Sequence, residues 1–408
     1  MPQFNFHQAI IALTDALDLV GVDEVHHGKR VAVMAAAIAS ALGWSERERL
    51  FALQAGMLHD CGVSQTREHR SLTNGLEWEG AIEHCRRGCN YLKVCDPLAA
   101  FAEVVLFHHT RWEALPTELD TRTRQFANLI FLADRVDVLQ APHITGEAGR
   151  VGAILWEFPA IIATVRGHAG TLFAPDLVEA FAEAAAAEAF WLAMDDRYLH
   201  EDIASAPDVA TKTVDLREIL QIARLFSHVV DAKSAYTQEH SRRVAAIARH
   251  MAECAGVAGE RLDLVEVAGL LHDLGKLRVP DEIIESPAAL DRHQRALIQR
   301  HAYDSFRILE RVFPGYPIAE WAGCHHETLT GTGYPFHRPG ASLPVEARII
   351  AVADIFQALS QTRPYRRQWP LSEVLAHMEG LAKDGRIDPE IVALLRRERG
   401  ECYALATA

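Results

Sequence analysis

The chain has 408 residues, enough for two domains of ordinary size or one large one. With 49% hydrophobic and 24% charged residues it has the profile of a soluble globular protein, and its formal net charge of -14 excludes a general binder of duplex nucleic acid, which needs a basic face. A small anionic ligand stays open, because a local metal or arginine cluster outweighs the global field.

The opening stretch MPQFNFHQAI has no basic segment leading into an apolar one, and no apolar run in the chain reaches the length of a membrane span. Neither a secretory leader nor a membrane partner is expected, and the expected compartment is the cytoplasm. Helical periodicity then dominates. VAVMAAAIASALGW carries apolar residues at three- and four-residue steps, and FAEAAAAEAFWLAM is rich in strong helix formers. Alternating apolar and polar runs are scarce, so the predicted fold is all-α.

Further along, the chain repeats itself. HHGKRVAVMAAAIASALG near residue 27 returns as EHSRRVAAIARHMAECAG near residue 240, and FALQAGMLHDCG returns as VEVAGLLHDLGK. IEHCRRGCNYL, VVLFHHTRWEALP, LIFLADRVDVL and FAPDLVEAF have their counterparts in IQRHAYDSFRIL, EWAGCHHETLTGTGYP, IIAVADIFQAL and IDPEIVALL. The register holds as well. His27 to His59 and His240 to His272 are both 32 residues, and His84 to His108 and His301 to His325 are both 24. The chain therefore reads as two tandem helical domains, 1–205 and 206–408, joined through the Ala-, Ser-, Pro- and Thr-containing stretch HEDIASAPDVATKTVD at 200–215.

Each repeat supplies an early histidine, an adjacent His-Asp pair, a later histidine, a His-His pair and a last aspartate. In the first repeat these are His27, His59, Asp60, His84, His108, His109 and Asp134; in the second they are His240, His272, Asp273, His301, His325, His326 and Asp354. Taken singly, a histidine or an HD dipeptide is an ordinary core or surface feature. In order and in register twice, they point to metal. Nitrogen and oxygen donors without thiolate suit Mn, Fe, Zn, Ni or Co. Seven ligands exceed one tetrahedral centre and suit two ions sharing a carboxylate, an arrangement that activates water for phosphoester hydrolysis. The seven cysteines contain no CxxC pair and are odd in number, which fits free thiols; a thiolate site at Cys85, Cys89 and Cys95 is the weaker reading of those residues.

The pattern H…HD…D resembles the HD-domain metal-dependent phosphohydrolases, and residues 215–400 resemble the HD-GYP subfamily, which hydrolyses cyclic dinucleotide messengers. The likeness rests on HSRRVA from His240, HDLGK from His272, RVPDEIIES, His301, HHE from His325, Gly333-Tyr334-Pro335, Asp354 and TRPYR. The resemblance implies two divalent ions in the second domain, iron or manganese ahead of nickel, cobalt or zinc. One is held by His240, His272, Asp273 and Asp354, the other by Asp273, His301, His325 and His326, with Asp273 bridging. It also implies Asp273 and Lys276 as catalytic residues and Arg363, Arg366 and Tyr334 as contacts to the dinucleotide, with metal-activated water as the nucleophile.

Several positions depart from that pattern. Thr328 and Thr330 stand where the subfamily has Arg and Asp, SPA at 286–288 replaces KPG, and Tyr236 stands four before His240 where trinuclear members carry Glu. Two ions rather than three and a changed base preference are expected. The first repeat, about 20–200, resembles an HD domain without the Gly-Tyr-Pro loop. CGVS follows its Asp60 with no lysine three positions on, TRWEALP follows its His109, and Asp23 lies four before His27. It is either a regulatory copy that still binds metal or a second hydrolase, such as a phosphomonoesterase. The tandem layout resembles bacterial phosphodiesterases acting on 3',3'-cyclic GMP-AMP and cyclic di-GMP. The alternatives are an HD-type nucleotidase acting on another nucleotide and an idle receptor for the dinucleotide. A dimer is compatible with all of these.

Overall fold

The computed structural model describes residues 3–20, 26–72 (70 and 71 as backbone only), 76, 80–144, 153–204, 212–234, 239–286, 288–361 and 368–408. The fold is all-α. The described strands are β1 (Gln3–Asn5) and β2 (Thr213–Asp215), which pair in a two-stranded sheet. The chain divides into two compact units, Asn5–Thr213 and Val214–Ala408, and Gln3 and Phe4 cluster with the second. Among the described residues no helix is long and apolar enough to cross a membrane.

The first unit contains α1 (Phe6–Leu17), α2 (His27–Ala41), α3 (Glu46–Leu58), α4 (Thr66–Leu72), α5 (Ala81–Lys93), α6 (Ala102–Phe107), α7 (Thr121–Ile144), α8 (Ile154–Arg166), α9 (Pro175–Ala184), α10 (Glu188–Leu192) and α11 (Asp196–Ala204). In the second unit α12 (Leu216–Asp231), α13 (His240–Cys254) and α14 (Glu260–Leu271) lead to a short 3-10 helix, Leu274–Arg278. There follow α15 (Asp281–Ile284), α16 (Arg292–Val312), α17 (Ile318–Gly323), α18 (Val345–Ser360), α19 (Leu371–Lys383), α20 (Pro389–Arg397) and α21 (Arg399–Thr407).

The same helix pairing recurs in both units: α2 packs on α3 and α7 as α13 packs on α14 and α18. Glycine sets how close the first pair comes. A Cβ at Gly56 would lie 2.6 Å from Ala32 Cα, and one at Gly269 would lie 2.8 Å from Ala245 Cα. Small residues on both sides of each crossing thus let the backbones touch. That contact brings the C-terminal end of α3 or α14, where the His-Asp pair begins, against the helix that opens with the first histidine.

Candidate metal centres

In each unit the first histidine opens a helix. His27 is the first residue of α2 and His240 the first of α13, and each follows a non-glycine residue in the left-handed region, His26 at φ 76° and Glu239 at φ 63°. Such a conformation is costly for a side-chain-bearing residue and persists where the surroundings impose it. The His-Asp pair leaves α3 and α14 at their C-caps, His59 and His272. His84 lies in α5 and His301 in α16, while Asp134 and Asp354 lie in α7 and α18.

His325 and His326 lie beyond the end of α17, after the C-cap Cys324, rather than on a regular helix. Successive helical side chains diverge by about 100°. Here the chain has already turned, and the two rings lie side by side, their centroids 4.0 Å apart. Adjacent histidines can thus face one cluster.

The seven second-unit residues converge. Asp273 Oδ2 lies 3.5 Å from His240 Nε2 and 3.3 Å from His272 Nε2; Oδ1 lies 3.3 Å from His301 Nε2 and 3.7 Å from His325 Nε2. Asp354 Oδ1 is 3.3 Å from His240 Nε2 and 3.9 Å from His272 Nε2. His326 joins His301 and His325 within ligand reach. One carboxylate therefore faces two sets of imidazoles with its two oxygens. The first unit repeats the frame. Asp60 Oδ2 faces His27 and His59 at 3.8 and 3.4 Å, and its Oδ1 faces His84 and His108 at 3.4 and 3.8 Å. Asp134 lies 3.4 Å from His27 Nε2 and 3.7 Å from His109 Nε2.

The far ring nitrogens explain the orientation. Nδ1 of His59, His108, His272, His301 and His325 lies 2.5–2.8 Å from the carbonyl three residues earlier, at Gly56, Val105, Gly269, Ile298 and Ala322. An Nδ1–H donated to a carbonyl leaves Nε2 as a bare lone pair aimed inward, the tautomer a metal ligand needs. His84 departs from this: the thiol of Cys85 takes the carbonyl of Ala81 at 3.2 Å. Nε2 of His59, His240 and His272 and Oδ1 of Asp60 and Asp273 are buried and have no hydrogen-bond partner. Unsatisfied buried acceptors are costly, and a cation at each cluster would satisfy them. The residues present fit a pair of divalent ions in each unit.

Electrostatics agree. Burial works to raise Asp273 and Asp354, yet the imidazoles of His272 and His240, with Lys276 beside Asp273, hold both carboxyls well below their usual range. Burial, helped by His301, lowers His326 to about 3. The second centre thus presents anionic carboxylates beside the neutral imidazoles of His325, also lowered by burial, and His326. His240 goes the other way: against its burial, Asp273 and Asp354 raise it to about 9. In the first centre His27, beside Asp134 and Asp137, and His108, beside Cys85 and Asp60, are raised against their burial too, so protons collect where cations would.

Lys276 Nζ donates to Asp273 Oδ2, so its ammonium rests on the shared carboxylate. In the first unit Val63 stands at that position and is buried. Tyr334 donates its N–H to the carbonyl of His326 at 3.2 Å, and its ring lies 4.7 Å from that of His326. A Cβ at Gly333 would lie 2.5 Å from His326 O and from Glu327 Cα, which accounts for the glycine. Thr328, Thr330 and Thr332 bond one another through their hydroxyls at 2.9–3.2 Å, an exposed neutral knot at the start of the loop. Arg363, Arg366, Tyr236, Asp23, residues 205–211 of the expected linker and Pro287 lie outside the described residues. All seven cysteines are free.

Sequence reasoning passed over several residues. Glu327 is buried and accepts from Phe336 N at 2.7 Å and Arg338 N at 3.1 Å, clamping the loop. Gln357 Oε1 meets His240 Nδ1 at 2.6 Å, and Asp137 Oδ2 meets His27 Nδ1 at 2.7 Å. Both stand one helical turn after the last aspartate, a spacing legible in hindsight. Arg135 donates to Asp134 Oδ2 at 2.7 and 3.1 Å, and the buried His69 lines the small cavity beside His27, His59 and Asp60.

Comparison with known proteins follows the repeat. An HD-domain profile matches residues 224–391, and a second HD-domain profile matches residues 25–139. Over 408 residues the chain is 38% identical to the 3'3'-cGAMP-specific phosphodiesterase 1 of Vibrio cholerae, covering 99% of this chain and 94% of that protein. It is 33% identical to the cyclic di-GMP phosphodiesterase response regulator RpfG of Xanthomonas campestris over 48% of this chain and 53% of that one. The crystal structure of the cyclic GMP-AMP specific phosphodiesterase V-cGAP3 of V. cholerae has the same fold, with a TM-score of 0.67 at 24% identity over 98% of both chains.

Proposed function

We propose that this chain, which belongs to the HD-domain family, is a metal-dependent phosphodiesterase. It opens a cyclic dinucleotide, 3',3'-cyclic GMP-AMP or cyclic di-GMP or both, to the linear 5'-phosphorylated dinucleotide. The observation that carries this reading is the placement of Asp273, whose two carboxylate oxygens face separate histidine sets at 3.3–3.7 Å. The full-length likeness to a phosphodiesterase of known substrate supports the choice of ligand.

In this reading His240, His272, Asp273 and Asp354 hold one cation, and Asp273, His301, His325 and His326 hold the other. Iron or manganese is the proposed metal, ahead of nickel, cobalt or zinc. When bound, such a pair lowers the pKa of water and withdraws charge from a phosphoryl oxygen. The chain's own residues do the rest. The carbonyl bonds to Nδ1 keep the imidazoles in one tautomer. Lys276 supplies positive charge beside the shared carboxylate, within reach of an anionic phosphate. Tyr334, held over His326 by the Glu327-clamped loop, gives a base or ribose an aromatic wall. Arg363 and Arg366 take the phosphates and bases through their planar forks of donors. The seven first-unit residues, His27, His59, Asp60, His84, His108, His109 and Asp134, hold metal of their own.

A turnover screen decides the reading. Full-length protein loaded with Mn(II) or, anaerobically, Fe(II) is given cyclic di-GMP, cyclic GMP-AMP and cyclic di-AMP, and products are identified by mass. Gain of one water on cyclic GMP-AMP or cyclic di-GMP is expected. Stoichiometric binding without turnover by metal-loaded protein would make the chain a receptor instead.

A further inference from the structure

The two centres share one frame and differ in what stands behind the first histidine. In the first unit His27 Nδ1 meets Asp137 Oδ2 at 2.7 Å. That carboxylate is fully buried and held from three sides: Arg30 Nε reaches Oδ1 at 2.6 Å, Arg30 Nη2 reaches Oδ2 at 3.0 Å, and Gln140 Nε2 reaches Oδ1 at 2.7 Å. In the second unit the equivalent position is Gln357, whose amide oxygen meets His240 Nδ1 at 2.6 Å. Both acceptors fix the ring and point Nε2 at the centre. Only the carboxylate carries charge, and a charged acceptor makes the imidazole the stronger donor to a cation. Arg30 offsets part of that charge, but it also locks the carboxylate against the ring, which the singly bonded Gln357 lacks. Other nearby cations do not reverse the order. Each centre has one on a ligand carboxylate, Arg135 on Asp134 and Lys276 on Asp273.

We infer that the first unit holds its cation more tightly than the second, and that Asp137, a positioning residue acting through His27, sets the difference. The first centre is then a resident site and the second an exchangeable one, so ring-opening activity follows the metal supply of the second alone. This rests on the reading that both clusters bind divalent cations.

The test uses the full chain with one centre disabled at a time. His272→Ala/Asp273→Ala keeps the first centre and His59→Ala/Asp60→Ala keeps the second. Each is loaded with manganese(II) alone and titrated with a chelator, and retained metal is measured by plasma mass spectrometry. The first centre should need about tenfold or more chelator for half-release, the scale of losing an outer partner of a ligand histidine. Asp137→Asn should remove that advantage, and Gln357→Glu should raise retention at the second centre by a similar factor. The glutamate variant decides alone if Asp137→Asn does not fold. Equal release from the two centres, or no change in either variant, overturns the inference while leaving the metal reading intact. Failure of both parent chains to bind manganese overturns both.

Discussion

At the scale of single residues, the candidate site is made of groups whose charge depends on neighbours. Lys276 touches Asp273, a proposed ligand, without being one itself. Lys276→Ala is therefore expected to leave metal content unchanged and to slow turnover by about a hundredfold or more, the scale of losing one donor that acts on developing charge. Metal content and kcat measured together check this; a loss of metal would make Lys276 structural. Asp231 offers a pH test at the edge of the site. Burial raises its carboxyl to about 6, although Ser241 donates to it through both its N–H, at 3.0 Å, and its hydroxyl, at 2.8 Å. A folded pKa above the unfolded value near 4 means the folded state holds the extra proton in that window. The contribution of Asp231 to stability is full below about pH 4 and is lost as pH rises through about 6, by about 3 kcal/mol at 1.36 kcal/mol per unit. Metal-free wild type should lose that much relative to Asp231→Asn between pH 4 and 7, read by denaturant unfolding. A constant difference would show that Asp231 does not titrate there.

At the scale of elements, the chemistry hangs on two short devices. The first is the glycine after each His-Asp pair. A Cβ at Gly275 would lie 2.3 Å from His301 O, and one at Gly62 would lie 2.0 Å from His84 O. The 3-10 turn and α16 must press backbone to backbone for Asp273 to meet His301. Gly275→Ala is expected to cost about 1–3 kcal/mol by overpacking and to lower metal content, since the turn carries one proposed ligand and α16 another. Calorimetry and metal analysis check both. The second device is Glu327. Glu327→Ala removes two backbone hydrogen bonds to a charged acceptor, each worth about 1.5–3 kcal/mol. The loop bearing Tyr334 should loosen, kcat/KM should fall about tenfold or more, and metal should stay. Unchanged kcat/KM would mean the loop needs no clamp. That these histidines and aspartates would converge was legible in the sequence, because coordination demands few residue types and the repeat prints them twice. The spacing of Asp137 and Gln357 after the last aspartate marks one helix face, but neither it nor the position of Glu327 shows which atom an outer partner reaches across the fold. The wide divergence expected of adjacent helical histidines does not arise, since α17 stops before His325.

At the scale of the whole molecule, the repeat was legible down to the register of its histidines, and so was its asymmetry: only the second unit has Lys276 and the Gly333-Tyr334-Pro335 turn. What no spacing revealed is how fully the first unit keeps its geometry. Asp60 faces its histidines at 3.4–3.8 Å, as Asp273 does at 3.3–3.7 Å, and Nε2 of His59 and Oδ1 of Asp60 are left without partners as in the second unit. A relic under no demand to bind a cation would have no reason to keep buried acceptors bare. Water activation needs only the ligands, but opening a ring also requires a large anion to be positioned. The first unit has Val63 where the second has Lys276, and TRWEALP where the second has its glycine turn. We therefore expect His272→Ala/Asp273→Ala in the full chain to be inactive on the cyclic dinucleotide while still carrying metal in the first unit. His59→Ala/Asp60→Ala should retain ring opening with its metal content reduced. Both are measured on folded protein, by mass of the product and metal per chain. Ring opening that survives the second-unit change and is lost with the first would move the active site to the first unit, and Lys276 and Tyr334 would then need another role.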